Sequence, residues 1–316
     1  MNLDPSTQKF VSDLAASNSP PLYTLTPDQA RDVLLQAQSI PVSMPEADVE
    51  ERKLPVGPKG SVRTLLFRPK GSKERLPVVI FVHGAGWVMG DVRTHERLVR
   101  DLVQGANVAA VFVDYSRSPE NRFPVAIEEA YAAAKYVAEH PDEFNVDARR
   151  MAIVGDSVGG NMATVVSMLA KERGGPPIRF QVMFYPVTNA NFESGSYQEF
   201  AEGPWLTRKA MKWFWDAYLP EASKRADPHV SPLKASLDQL KGLPPALIIT
   251  DENDVLRDEG EAYAAKLSEA GVNVTQVRFL GTHHDFVMLN ALAQTPAARG
   301  AIELAITQLR ERLNVS

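Results

Sequence analysis

Ser157 is the residue of this sequence best placed to act as a nucleophile. It is the centre of the pentapeptide GDSVG, residues 155–159, which follows the apolar run MAIV and precedes the helix-like run GNMATVVSMLA. A G-x-S-x-G pattern between a strand and a helix holds the serine on a sharp turn, where Gly155 and Gly159 leave room beside it. The helix behind the serine favours negative charge developing there. The pattern also occurs by chance around ordinary turn serines, but its place at a strand end favours the nucleophile.

A second motif, HGAGW at residues 83–87, also follows an apolar run. A glycine-dense turn at this place is typical of backbone N–H groups that bind an oxyanion. We expect N–H groups of this turn, together with that of the residue after the serine, to converge on the carbonyl oxygen of a substrate: Gly84, Ala85, Gly86 and Val158. The alternative is an ordinary tight turn, which the GDSVG motif further along the chain makes the weaker interpretation.

A general base has to be sought among the six histidines of the chain: His83, His95, His140, His229, His283 and His284. In α/β hydrolases the serine comes first along the chain, then the acid, then the histidine. This order selects the pair His283–His284, which follows the acidic segment TDENDVLRDEG (250–260), although such a pair is otherwise typical of an exposed loop. For the acid, position alone leaves the choice between Asp251 and Asp254 open.

The elements around these motifs predict an α/β fold with a mostly parallel sheet. Short, β-branched apolar runs are typical of strands buried on both faces, and they occur at 77–82, 108–114, 151–155, 180–185 and 245–250. Helical stretches alternate with them, at 92–104, 124–139, 160–173 and 258–270, and a last one covers 296–313. The alternation predicts right-handed βαβ units and a doubly wound sheet flanked by helices.

Two segments fall outside this alternation and predict a helical cap. The first segment, residues 1–46, contains two helix-like runs, and a capping box at Thr26–Gln29 precedes the second run. The other segment, residues 190–226, follows the strand at 180–185 and shows little strand signal. We therefore divide the chain into a cap part (1–46), a catalytic core (47–189), a cap insertion (190–226) and the continued core (227–316). Four aromatic residues are predicted to wall the substrate pocket, with packing of a core helix as the alternative: Trp87, Trp205, Trp213 and Phe214.

The composition excludes several classes of function. The 316 residues include 34 basic and 39 acidic ones, for a net charge of −5 and no basic patch, which argues against nucleic-acid binding. Cysteine is absent, which excludes disulfides, thiolate metal sites and a cysteine nucleophile. No apolar run approaches the roughly 18 residues that suggest a membrane span, and the first ten residues lack the pattern of a secretory signal. We therefore expect a cytoplasmic protein.

Five ordered motifs resemble those of the hormone-sensitive-lipase-like (family IV) esterases: HGAGW, YSRSPENRFP (115–124), GDSVGGN, DVLRDEG (254–260) and HHDF (283–286). The resemblance extends from about residue 47 to the end of the chain. It implies an α/β-hydrolase fold with a helical cap, a serine nucleophile, an acid and a base: Ser157, Asp254 and His284. The sequence departs from the family at Ala85 and Asp285, where glycine is usual. We expect Ala85 to narrow the pocket and the Asp285 carboxylate to point to solvent; the alternative is that this carboxylate raises the pKa of His284 or competes for its proton.

The resemblance implies a serine carboxylesterase that forms an acyl-enzyme and requires no metal or organic cofactor. The aromatic pocket predicts small esters with short to medium acyl chains, roughly C2 to C8. An amide or lactone hydrolase with the same triad is an alternative, and a non-catalytic binder is a weaker one because all three catalytic residues are present. The oligomeric state stays open, a homodimer included.

Overall fold

Eight strands form one sheet in the computed structural model, which describes residues 1–17 and 19–315. Asn18, in the N-terminal segment predicted to be helical, and Ser316 lie outside the described residues. The strands are β1 (Ala47–Leu54), β2 (Val62–Pro69), β3 (Leu76–Val82), β4 (Ala109–Asp114), β5 (Val146–Asp156), β6 (Ile178–Phe184), β7 (Ala246–Asn253) and β8 (Val274–His283). Their order in the sheet is β1-β2-β4-β3-β5-β6-β7-β8.

Strands β3 to β8 run parallel to one another, whereas β2 pairs antiparallel with β4 and β1 pairs antiparallel with β2. Its central strands carry the continuous apolar runs because both of their faces are covered, and every residue of β3 is buried. The apolar pattern does not predict β1, since this edge strand reads ADVEERKL and is mostly exposed or half-buried. The strand predicted at 151–155 begins earlier, at Val146.

The described residues form eleven α-helices: α1 (Pro5–Ala16), α2 (Pro27–Ala37), α3 (Val92–Ala106), α4 (Val125–Glu139), α5 (Pro141–Phe144), α6 (Val158–Arg173), α7 (Gly195–Glu199), α8 (Arg208–Tyr218), α9 (Leu237–Leu240), α10 (Arg257–Glu269) and α11 (Pro296–Arg312). The predicted capping box is present, because the Thr26 hydroxyl accepts from the Gln29 N–H and the Gln29 side chain accepts from the Thr26 N–H. The α/β-hydrolase architecture predicted from the sequence is confirmed.

Strand register brings the predicted motifs together at the carboxyl ends of the parallel strands. Val82, the last residue of β3, pairs with Gly155 of β5, so the HGAGW turn emerges beside the GDSVG turn. On the other side of the sheet, Asn253 of β7 pairs with His283 of β8. Asp254 follows Asn253 and His284 follows His283, so this pairing places Asp254 and His284 side by side.

Among the described residues, no helix is long and apolar enough to cross a membrane.

Candidate active site

Ser157 lies in the connection between β5 and α6 and has an unusual backbone conformation, with φ 53° and ψ −119°. Positive φ is uncommon for a residue with a side chain and costs about 1–3 kcal/mol. The turn tolerates it because it is tightly packed: a Cβ on Gly159 would lie 2.0 Å from the Val82 carbonyl oxygen, and one on Gly155 would lie 2.2 Å from the Gly159 oxygen. The two motif glycines therefore allow β3, β5 and α6 to approach closely enough to hold the serine.

A line of hydrogen bonds joins the three residues that the family resemblance selects. The Ser157 Oγ lies 2.9 Å from Nε2 of His284, and Nδ1 of the same imidazole lies 2.8 Å from a carboxylate oxygen of Asp254. The carboxylate fixes the Nδ1–H tautomer, so Nε2 accepts from the serine hydroxyl. The other oxygen of Asp254 accepts from the Leu256 N–H at 3.0 Å. All three side chains are buried, which gives the arrangement expected of a nucleophile, a base and an orienting acid.

His283 and Asp285, the neighbours of His284, are both buried rather than exposed. His283 Nδ1–H donates to the His284 carbonyl oxygen at 2.7 Å, which places its ring away from the serine. The expectation that Asp285 points to solvent is wrong. Its Oδ2 accepts from the Trp205 indole N–H at 2.8 Å and its Oδ1 lies 3.5 Å from His284 Nε2. With φ 69°, the backbone turns this side chain inward toward the catalytic histidine.

The two carboxylates around His284 determine its proton affinity. Burial opposes the charged imidazolium, but attraction to Asp254 and Asp285 outweighs burial and raises the pKa of His284 to about 9. Burial and the nearby carboxylates raise the pKa of Asp285 as well, although His284 opposes this shift. The site thus holds an imidazole that accepts a proton readily.

Asp251, the alternative acid, is also buried but does not contact the imidazole as Asp254 does. Within the part of the chain that the structure describes, no N–H group or hydroxyl donates to its carboxyl oxygens. Burial, the charges of Asp254 and Asp285 and a hydrogen bond shared with the Asp254 carboxylate raise its pKa well above the usual value. Asp251, Asp254 and His284 each place one potential ligand atom within 4.8 Å of the others. The hydrogen bond between His284 and Asp254 uses two of these three groups, so the cluster is explained as an acid–base pair with a neutral carboxyl beside it.

The oxyanion turn differs from the prediction at Gly84. The Gly84 N–H donates to a carboxylate oxygen of Asp156 at 3.0 Å and is therefore committed to the protein. No hydrogen bond within the described residues uses the N–H groups of Ala85, Gly86 or Val158, so these three predicted donors are free to bind an oxyanion. Ala85 has φ 76°, a conformation that glycine would adopt without strain.

Asp156 is a residue of the site that the sequence reasoning missed, although it lies inside the GDSVG motif. One of its oxygens accepts from Gly84 and the other lies 3.2 Å from Nε2 of buried His95. Burial alone would raise the pKa of Asp156, but attraction to His95 and the hydrogen bonds lower it, so the carboxylate stays charged. The buried Asp156 carboxylate, which belongs to the serine turn, therefore holds the oxyanion turn in place through its hydrogen bond with the Gly84 N–H.

A cavity of about 210 Å³ opens onto Ser157, His284 and Asp285. Trp205 and Phe214 line it as predicted. The prediction for Trp87 is wrong: this ring is fully buried and stacks on Tyr218, with ring centroids 3.9 Å apart. Trp213 does not line the cavity either, because adjacent residues of α8 point in directions about 100° apart. The other lining residues come from the N-terminal segment, the oxyanion turn and α8: Leu14, Ser19, Pro20, Pro21, Leu22, Tyr23, Val33, Leu34, Ala85, Gly86, Met89, Leu206, Thr207, Ala210 and Met211.

Comparison with known proteins shows which family the chain resembles. The chain matches the α/β hydrolase fold family over residues 79–288. It is 44% identical over 309 residues to an α/β hydrolase of Acanthamoeba polyphaga mimivirus, covering 98% of this chain and 88% of that protein. It is 36% identical over 287 residues to carboxylesterase NlhH of Mycobacterium tuberculosis, covering 90% and 89%. The crystal structure of a thermostable esterase from Pseudomonas putida is 50% identical, with a TM-score of 0.97 and coverage of 100% and 99%.

The chain belongs to the hormone-sensitive-lipase-like family of α/β hydrolases. Its membership confirms the resemblance found in the sequence motifs, and the chain is a carboxylic ester hydrolase. Within this hormone-sensitive-lipase-like hydrolase, the N-terminal segment contributes much of the cavity wall. The sequence predicts a helix after the capping box at Thr26–Gln29, but not that Val33 and Leu34 of this helix meet the cavity.

Proposed function

We propose that this hydrolase cleaves small carboxylic esters with short to medium acyl chains, through a Ser157–His284–Asp254 triad and an acyl-enzyme. The observation that carries the proposal is the continuous line of hydrogen bonds from Ser157 Oγ through His284 to Asp254, at the base of an apolar cavity. A complete line of this kind also argues against a binder that has lost catalysis.

The geometry supports a two-step reaction. Neutral His284 takes the Ser157 proton through Nε2 as the serine oxygen attacks the ester carbonyl carbon. The imidazolium, held by Asp254, then returns that proton to the leaving alcohol, and the serine keeps the acyl group. Water attacks the acyl-enzyme with the same base, which releases the acid and restores the serine.

The N–H groups of Ala85, Gly86 and Val158 are the donors that we assign to the oxyanion. Loss of one donor in such a site typically costs about 2.7–4 kcal/mol of transition-state stabilisation. Because these donors belong to the backbone, side-chain substitution does not remove them, and their position depends on the hydrogen bond from Gly84 to Asp156.

The size of the cavity supports short acyl chains. About 210 Å³ is below the roughly 300–1,000 Å³ typical of pockets for drug-sized ligands. Each methylene that enters an apolar pocket contributes about 0.8 kcal/mol, or roughly fourfold in kcat/KM. We therefore expect kcat/KM to rise with acyl length and then to fall once the cavity is filled.

A series of p-nitrophenyl esters of increasing acyl length tests this proposal, with two variants of neighbouring aromatic residues. Phe214 lines the cavity, and a Cβ on Gly86 would lie 2.0 Å from its ring, so Phe214→Ala enlarges the space next to the oxyanion turn. We expect this variant to move the optimum to longer chains. Trp213→Ala is the matched control and should leave the optimum unchanged. A monotonic rise through long-chain esters in the unmodified protein, or an optimum insensitive to Phe214→Ala, would contradict the pocket.

Two further predictions accompany this proposal. The division into cap segments (1–46 and 190–226) and core segments (47–189 and 227–316) is supported by the cavity, whose lining both cap segments contribute. A cytoplasmic location stays a prediction from the sequence, and the oligomeric state stays open, a homodimer included.

A further inference from the structure

Asp285 contributes the only carboxylate among the described residues that line the cavity. The rest of the lining is mostly apolar, and its polar groups are the hydroxyls of Ser19, Tyr23, Ser157 and Thr207, the indole N–H of Trp205 and the imidazole of His284. A carboxylate in apolar surroundings is costly to bury unless its oxygens are hydrogen-bonded. The triad already has its acid in Asp254, so the proposed reaction leaves Asp285 without a role.

One oxygen of Asp285 is satisfied by the protein and the other is not. Oδ2 accepts from the Trp205 indole N–H at 2.8 Å, which fixes the orientation of the carboxylate. Oδ1 is buried and accepts no hydrogen bond from any described residue, and it lies 3.5 Å from His284 Nε2, too far for a good hydrogen bond. The protein therefore presents a fixed acceptor beside the catalytic histidine without filling it.

The position of Oδ1 relative to Nε2 indicates which part of an ester it meets. In the proposed reaction, Nε2 returns the proton to the oxygen of the leaving alcohol, which must lie within about 3 Å of Nε2. Oδ1 lies 3.5 Å from the same nitrogen. A hydroxyl three bonds beyond the ester oxygen, as in the monoester of a 1,2-diol, is therefore within reach of Oδ1, whereas the acyl chain extends from the carbonyl carbon that Ser157 attacks.

We propose that Asp285 is a specificity-determining residue whose Oδ1 accepts a hydrogen bond from a hydroxyl on the alcohol portion of the ester, which makes esters of short diols and polyols the preferred substrates. This inference rests on the proposed function. In an apolar cavity a substrate hydroxyl would otherwise be buried without a partner, and Asp285 offsets that penalty.

Two isosteric pairs of acetate esters test this role. The pair 2-hydroxyethyl acetate and propyl acetate differs by a hydroxyl in place of a methyl group, and the pair 2-methoxyethyl acetate and butyl acetate adds an acceptor without a donor. All four esters form the same acetyl-enzyme, and the acid that they release is followed by pH-stat titration. The ratio of kcat/KM within a pair therefore reports recognition of the alcohol, and a change in the basicity of His284 cancels in it.

For the unmodified protein we expect the hydroxyethyl ester to be favoured over the propyl ester by roughly tenfold or more, the range of a hydrogen bond to a charged group. The methoxyethyl ester should not be favoured over the butyl ester. Asp285→Gly suits the positive φ and removes the acceptor, so the hydroxyethyl-to-propyl ratio should fall below one. In Asp285→Asn, the amide oxygen should keep the hydrogen bond from Trp205 and the amide NH2 should face the cavity. This NH2 should donate to the methoxy oxygen, which raises the methoxyethyl-to-butyl ratio. Glu202→Gln, which removes an exposed charge, should change neither ratio.

Three results would overturn the inference. A hydroxyethyl-to-propyl ratio near or below one in the unmodified protein means that no acceptor meets the alcohol. If the hydroxyethyl-to-propyl ratio is unchanged in Asp285→Gly, another group recognises the hydroxyl. An equal loss on all four esters in Asp285→Gly shows that Asp285 acts through His284 and not on the alcohol. Absence of turnover on every ester refutes the proposed function itself and is distinct from these outcomes.

Discussion

The pH dependence of the reaction follows from the two carboxylates around His284. Burial opposes protonation of this imidazole, but Asp254 and Asp285 outweigh it and raise its pKa from 6.5 to about 9. Only the neutral imidazole can accept the Ser157 proton, so a raised pKa removes active base at neutral pH. An unperturbed histidine would titrate near pH 6.5.

The magnitude follows directly from this pKa. At pH 7 a group with a pKa of about 9 is neutral in roughly 1% of molecules. We therefore expect kcat/KM to rise about tenfold per pH unit below pH 9 and to level off above it. Replacement of Asp285 by asparagine removes one of the two negative charges, so the rising limb should move to lower pH.

The assay is the initial rate of p-nitrophenyl acetate hydrolysis at low substrate concentration, read at the isosbestic wavelength of p-nitrophenol across the pH range. This ester has no hydroxyl on its alcohol portion, so Asp285→Asn reports on His284 and not on recognition of the alcohol. A rising limb near pH 6–7 in the unmodified protein, or a limb that Asp285→Asn leaves in place, would refute the electrostatic reasoning.

Four substitutions test other parts of the site. Asp156→Asn removes the negative charge that holds the Gly84 N–H, and we expect kcat to fall at least tenfold with little change in KM. A change in KM alone would contradict the role of Asp156 in positioning the oxyanion turn. Asp254→Asn should lower kcat by orders of magnitude, whereas Asp251→Asn should be mild because a neutral carboxyl and an amide are alike; the reverse ranking would make Asp251 the acid. Ala85→Gly relieves a positive φ and enlarges the cavity, so kcat/KM for esters of tertiary alcohols should rise relative to ethyl esters, and an unchanged ratio would contradict crowding by the Ala85 methyl.

Much of the fold follows from local patterns in the sequence. The buried strands carry continuous apolar runs because both faces of the sheet are covered, and these runs predict β3 to β7 closely. The polar edge strand β1 has no such pattern, since it has one neighbour and an exposed face. Helix α2 was predictable from its capping box, whereas the contact of its residues Val33 and Leu34 with the cavity depends on tertiary packing.

The candidate site shows a similar division. Motif order and family resemblance indicated Ser157, Asp254 and His284; strand register places Asp254 beside His284, and a hydrogen bond joins His284 to Ser157. Local sequence did not indicate that Gly84 donates to Asp156, because that bond joins residues 72 positions apart. Nor did it indicate that Asp285 points inward: a charged loop residue is usually exposed, and here a distant indole, that of Trp205, holds it in the cavity.

The most direct test of the account is to identify the residue that carries the acyl group. A fluorophosphonate probe reacts with an activated serine, and intact-mass measurement followed by peptide mapping locates the adduct. We predict one adduct per chain on Ser157 in the unmodified protein. Folded Ser157→Ala should show neither adduct nor ester turnover, and His284→Ala should label far more slowly. An adduct at another residue, or turnover within tenfold of the unmodified protein in purified Ser157→Ala, would contradict the assignment of Ser157 as the nucleophile.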